Sequence, residues 1–348
     1  MTVKETLQTI GIVIFFIVVT VMSMEENEWS RIYGNAHSGN QQPQGQVDGS
    51  VLAADVDAFV SPALASREVG SAGSRQAQSY ITARYAQIGL LGFGDTYAWP
   101  FSFTRTQIGG LFKPGAHWKQ SYPVATNLVG YVRGTHFPQR YIVVSARYDT
   151  HAEPGKYGLD QWKANESGLA AMLAMAAYFA QHPPRNSIVF AAFDAEELGQ
   201  AGARAFVDHP PMAREQIALN LNLDIVTSKN AYEFCIAGTQ YTPPLKWIVD
   251  AASYSSKRPV GMGHDRPFWR AIRVADWTGE SDHRVFHEAG IPFLFASVEE
   301  SDDEAAARRM PANSILSLYD TANFLTVLAL KLDENSEVIP VQRRGVLF

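Results

Sequence analysis

An uncharged, predominantly apolar run extends from Ile10 to Met24 (IGIVIFFIVVTVMSM), with Lys4 and Glu5 ahead of it. Counted from Leu7, the run reaches the lower limit of about 17 residues for a membrane-spanning helix. Its all-round apolar character and terminal position set it outside a globular core. Residues 1–24 therefore read as an N-terminal apolar helix, a membrane anchor acting through residues 7–24. A cleaved signal segment is the alternative, although VMSMEENEW offers no Ala-x-Ala before a cut. With few flanking basic residues to orient the anchor, the globular part is expected to be extracytoplasmic, or secreted if the segment is cleaved. Residues 25–50 are rich in Gly, Gln, Asn and Ser without apolar periodicity, and read as a flexible linker.

Beyond Val51, helical and strand patterns alternate. SYITARYAQIGL (79–90) spaces its apolar residues as a helix and stops at Gly89. RYIVVSARYD (140–149) is a β-branched run, as expected of a strand covered on both faces. SGLAAMLAMAAYFAQH (167–182) predicts a helix that Pro183-Pro184 ends. NSIVFAAFD (186–194), IALNLNLDIV (217–226) and GIPFLFAS (290–297) predict further strands. PLKWIVDAASY (244–254) and ILSLYDTANFLTVLALKL (315–332) predict helices. The alternation points to an α/β fold, a three-layer sandwich whose mostly parallel central sheet is flanked by helices. One domain over 51–335 and a C-terminal tail over 336–348 follow.

Composition narrows the function without naming it. The 348 residues are 46% hydrophobic and 18% charged, which suits a globular chain and not a disordered or fibrous one. Twenty-nine Lys and Arg stand against 35 Asp and Glu, with no concentration of basic charge, so a nucleic-acid partner is not expected. Cys235 is the single cysteine, which excludes an intrachain disulfide and a cysteine-built zinc site. No Gly-x-Ser-x-Gly elbow occurs, so the α/β-hydrolase reading fails.

Candidate chemistry collects where predicted strands end, the place where open α/β sheets bind ligands. Phe193-Asp194-Ala195-Glu196-Glu197-Leu198-Gly199 sets two adjacent carboxylates after a buried strand. Such a pair is costly unless a cation or a proton compensates it. One of the two could take a proton from a metal-bound water while the other ligates the metal; a solvated helix start is the plainer role. Asp224 ends Leu-Asn-Leu-Asp as a hard-cation ligand or a cap, and Ser281-Asp282-His283 offers a ligand with its orienter, or again a cap.

In this order the segments resemble the co-catalytic di-zinc aminopeptidases, the family of bacterial leucyl aminopeptidases, glutaminyl cyclases and the transferrin receptor ectodomain. The resemblance covers roughly residues 55–333. It rests on Gly70-Ser71-Ala72-Gly73-Ser74, Ala125-Thr126-Asn127-Leu128-Val129-Gly130, the Arg147-Tyr148-Asp149 strand end, Asn165-Glu166-Ser167-Gly168, the Glu196-Glu197 segment, Asn222-Leu223-Asp224, and Ser281-Asp282-His283 with Gly290-Ile291-Pro292. It implies a zinc site in which Glu197 and Asp224 are metal ligands, Glu196 is the general base and Asp149 supports the site from behind. Three of the family's five ligand positions depart from the pattern: Arg147 and Arg309 stand where His is expected, and Ala164 where the bridging Asp is expected.

Arginine has no lone pair to offer a metal and stays protonated. Catalytic zinc normally takes three protein ligands and a water. Two outcomes follow. In one, the domain is non-catalytic or strongly diverged, holds little or no zinc, and binds a peptide or protein ligand in the former active-site cleft. Its two guanidinium groups would then pair carboxylates that otherwise repel. In the other, it remains an active zinc-dependent exopeptidase, with Glu196 as base and His151, Asp160, Glu166 or His283 as substitute ligands.

Overall fold

The computed structural model describes residues 45–64, 66–108, 117–150, 159–227, 231–265, 275–300 and 315–340. The anchor segment 1–24 lies outside the described residues. So does the linker up to Gln44.

The folded body begins with α1 (Gly49–Phe59), started by Asp48, whose carboxylate accepts from the amides of Ser50 and Val51. Val47 is already buried, and the Gly45 amide donates to the Tyr178 hydroxyl. The domain therefore starts before the expected boundary at 51; the few apolar residues around 45–50 carry no periodicity that would have marked it. Ser71 caps α2 (Ala72–Ile88), and Gly89 ends it in the left-handed conformation, φ +86°. At the other end, Ile339 is buried behind a 3-10 turn at Ser336–Val338, so part of the expected tail belongs to the core.

The strands are β1 (Leu91–Gly92), β2 (Ala98–Ile108), β3 (His117–Val132), β4 (Phe137–Arg147), β5 (Asn186–Phe193), β6 (Ile217–Leu223), β7 (Ala231–Ala237), β8 (Val260–Met262) and β9 (Phe293–Glu300). The remaining helices are α3 (Leu159–Gln181), α4 (Ala201–Asp208), α5 (Lys246–Ser253), α6 (His283–Glu288) and α7 (Ile315–Glu334). Among the described residues the strands form one sheet in the order β1-β3-β5-β4-β6-β9-β7-β8, with β2 paired to β3. The expected parallel run is its centre, β5-β4-β6-β9. The flanks β1–β3, β2–β3, β3–β5 and β7–β9 are antiparallel, so the sheet as a whole is mixed.

Side-chain alternation along the central strands builds the three layers. Ile142, Val144 and Ala146 of β4, with Ile188, Phe190 and Ala192 of β5, join a core with α1, α2, α3, α5 and α7. Val143, Val189, Ala191 and Phe193 face the opposite way, against Phe206 of α4 and Phe286 of α6. Both faces are covered, which is why these strands read as unbroken apolar runs. By length and composition α7 could cross a membrane, but Leu318, Leu325, Leu328 and Leu332 bury it in the domain core. Helix α3 begins at Leu159, ahead of the predicted start at Ser167, because its polar first turns look like loop in sequence.

Candidate functional site

Neighbouring parallel strands β4, β5 and β6 bring their carboxyl ends together: Arg147 pairs with Phe193, and Ala146 with Leu223. Arg147 closes β4, Glu196 and Glu197 lie in the turn after β5, and Asp224 follows β6 directly. The turn after β5 is tightly clamped. Asp194 accepts from the amides of Thr126 and Ala195, while Asn127 accepts from the Asp194 amide and donates to the Gly202 carbonyl. A side chain at Gly202 would place its Cβ 2.3 Å from the Asp194 carbonyl oxygen, so the turn can close only over glycine. Ala195 sits at φ +59°, a strained position for a residue with a side chain, and this bend aims Glu196 and Glu197 at β4.

Arg147 fills the space between these carboxylates. Its Nη1 donates to Glu197 Oε1 at 2.9 Å and to Glu196 Oε2 at 3.5 Å, and its Nε lies 3.4 Å from Asp224 Oδ1. Burial opposes the arginine's charge, but Asp224, Glu196, Asp149 and Glu197 outweigh it and hold the guanidinium above its ordinary value. Asp149 accepts from the Glu197 amide at 3.2 Å. Burial raises its carboxyl to about 7, against the pull of Arg147. Burial likewise raises Glu196 to about 8; Arg147 pulls against this, while Asp224, Asp149 and Glu197 add to the rise. A single guanidinium cannot keep every acid around it ionised.

Asp282 is the strongest case. It is fully buried at the start of α6, and neither of its carboxyl oxygens has a hydrogen-bond partner among the described residues. Burial first, then Glu196, Asp149 and Asp224, push it well above the carboxylate range. It lies within reach of the charges of the cluster, and it does not cap α6. His283 turns the other way: its Nε2 donates to the Trp277 carbonyl at 2.8 Å and its ring stacks on Phe295. Burial pushes the imidazole down to about 3, so it stays neutral.

Of the proposed substitute ligands, the described Glu166 and His283 are engaged elsewhere. Glu166 is bound by Arg67, a buried guanidinium that also donates to the carbonyls of Tyr148 and Leu64. His151 and Arg309 lie outside the described residues, as do the side chains of Ala164 and Asp160. Among the described residues no three His, Cys, Asp or Glu side chains are set to hold one metal ion. Among the described residues a permanent cation lies between Glu197 and Asp224, and these two carboxylates fall short of the three protein ligands that catalytic zinc normally takes.

Residues that the motifs did not flag complete the site. A cavity of about 490 Å³ beside Asp149, Thr150 and Glu197 is walled by Glu68, Arg105, Gln120 and Tyr122. Three of these come from the β2–β3 arm, where Phe103 pairs with Tyr122 and Arg105 with Gln120. The apolar–polar alternation of Trp99 to Thr104 is the signal that could have located it.

A mixed central sheet flanked by helices is the architecture of the zinc aminopeptidases. One such enzyme from Bacillus subtilis matches with a TM-score of 0.62 over 87% of this chain and 99% of that one, at 15% identity, which speaks for the fold alone. The profile of Peptidase family M28 matches residues 127–321, and the chain belongs to that family. A probable zinc metalloprotease of Pyrenophora tritici-repentis is 28% identical over 211 residues, 51% of this chain and 47% of that protein. A vacuolar membrane protease of Candida tropicalis is 34% identical over 172 residues, 49% of this chain and 17% of that protein. The chain thus matches less than half the length of these two curated relatives.

Proposed function

We propose that this M28 domain has exchanged the family's metal centre for a salt-bridged pocket around Arg147, and that it binds peptide or protein chains in the old cleft without hydrolysing them. The observation that carries the reading is the guanidinium of Arg147 among Glu197, Glu196 and Asp224. A lone-pair donor there would leave room for a metal; a guanidinium repels one. Glu196, held to about 8, carries a proton at neutral pH and is a poor base for activating water. In this reading Glu197 and Asp224 keep the ligand positions of the family but serve Arg147, and Asp149 orients the Glu197 turn. The apolar segment 7–24 would tether the domain to a membrane, in keeping with the membrane location stated in the Candida relative's name.

One observation favours the active alternative. Asp149 Oδ1 and both oxygens of Asp282 are buried without a hydrogen-bond partner among the described residues, and Asp224 Oδ1 has only the ion pair with Arg147 Nε at 3.4 Å. A cation held with help from His151 or Asp160 would satisfy them, leaving Glu196 as base. Metal analysis of the purified protein beside hydrolysis of a panel of aminoacyl chromogenic substrates decides between the two. One or two equivalents of zinc that a chelator removes together with peptidase activity would end the non-catalytic reading. The converse test restores Arg147→His, Ala164→Asp and Arg309→His together, which should create zinc binding.

A further inference from the structure

Strand β2 pairs with β3 along one edge, and among the described residues its other edge pairs with nothing. A groove of about 700 Å³ lies between β2 and a wall formed by Leu198, Gly199, α4 and His209. Its near wall is made by every residue from Pro100 to Thr106. A face of a strand would contribute alternate residues only; an unbroken run means that the groove follows the backbone itself. We infer that this groove receives an extended peptide as an added strand on β2, with an acidic side chain of the peptide set against Arg105.

Three features select that occupant. The groove is continuous with the cavity beside Glu197, since Arg105 and Leu198 line both, so a chain lying on β2 leads into the cleft. The charge is uneven: Arg204 is engaged by Glu288, whereas Arg105 has no partner among the described residues. A peptide strand carrying Glu or Asp would supply one. Pro100, lacking an amide hydrogen, and the bulge between Phe101 and Phe103 also blunt the edge against open-ended pairing and leave Phe103 to Thr106 for the peptide.

The inference rests on the peptide-binding reading above and specifies how the peptide lies. The probe is a pair of fluorescein-labelled octapeptides with free amino termini, alternating Val and Thr, one with a central Glu and one with a central Lys, titrated into the full chain and followed by anisotropy. The Glu peptide should bind saturably and at least tenfold more tightly than the Lys peptide, and Arg105→Glu should reverse the order. N-methylating alternate peptide amides should weaken binding more than tenfold in one phase and little in the other, because only one phase faces β2. Amide exchange across 100–106 should slow on binding. Absence of saturable binding up to about 1 mM, the affinity of a contact worth only some 4 kcal/mol, overturns the proposal. So does protection of 100–106 by self-association without peptide. Binding that is indifferent to Arg105→Glu and to both N-methylated series places the peptide in the cleft alone and sinks the edge site while the cleft reading stands. Hydrolysis of the Glu peptide with stoichiometric zinc does the reverse.

Discussion

Replacing Arg147 with Leu isolates the group on which the site depends. The leucine fills much of the volume but leaves Glu196, Glu197, Asp224 and Asp149 facing one another without their shared cation. Removing one partner of a buried ion pair typically costs about 3–5 kcal/mol. Here the arginine and Glu196 are 14% and 11% exposed, while Asp224 and Glu197 reach 21% and 35%, so water shields part of the cluster. The lower end, about 3 kcal/mol at pH 8, is the expected loss. It corresponds to a fall in Tm of roughly 5 °C for a domain of this size. Urea unfolding followed by tryptophan fluorescence measures it. At pH 5, where Asp149 and Glu196 hold protons, the loss should shrink to about half or less, and Glu196→Gln added to Arg147→Leu should recover roughly 1 kcal/mol at pH 8. A loss below about 1 kcal/mol at pH 8, or the same loss at both pH values, would refute the claim that Arg147 compensates this cluster.

Other changes probe the surrounding framework. A carboxyl raised above its unfolded value adds stability that is complete below about pH 4 and is lost as pH rises through its folded value. Asp149 and Glu196 should therefore make the domain less stable between pH 4 and pH 8, and Glu196→Gln should flatten that slope in a series of urea titrations. Ala195→Gly should raise stability by about 0.5–1 kcal/mol by removing left-handed strain, and a lower Tm would show that the bend is unstrained. Arg67→Met should cost about 3–5 kcal/mol because it strands Glu166 and the carbonyls of Tyr148 and Leu64; an unchanged unfolding midpoint would contradict this. Deleting residues 1–24 should leave a cooperatively folding, detergent-independent protein, and aggregation of the truncated chain would place the apolar segment in the core.

The central layers were legible in the sequence because their physics is local. Strands β4, β5 and β6 are covered on both faces and so appear as apolar runs; α2 and α3 carry their stop signals at Gly89 and Pro183. The ends of those runs named Arg147, Glu196, Glu197 and Asp224, since parallel neighbours must finish at one edge. What sequence could not supply was direction. Asp282 and His283 are adjacent, yet one lies within reach of the acid cluster and the other stacks on Phe295, a difference set by the angle at which α6 meets the sheet. Glu166 looked available as a ligand until the fold brought Arg67, nearly one hundred residues earlier, against it. The β2–β3 arm, half exposed and weakly patterned, went unread although it walls the cavity. Residue identity thus determined which charges the chain carries to the strand ends. Only tertiary structure decided which of them are buried, which share Arg147, and which must hold a proton, because desolvation and distance belong to the packed chain and not to the order of its residues.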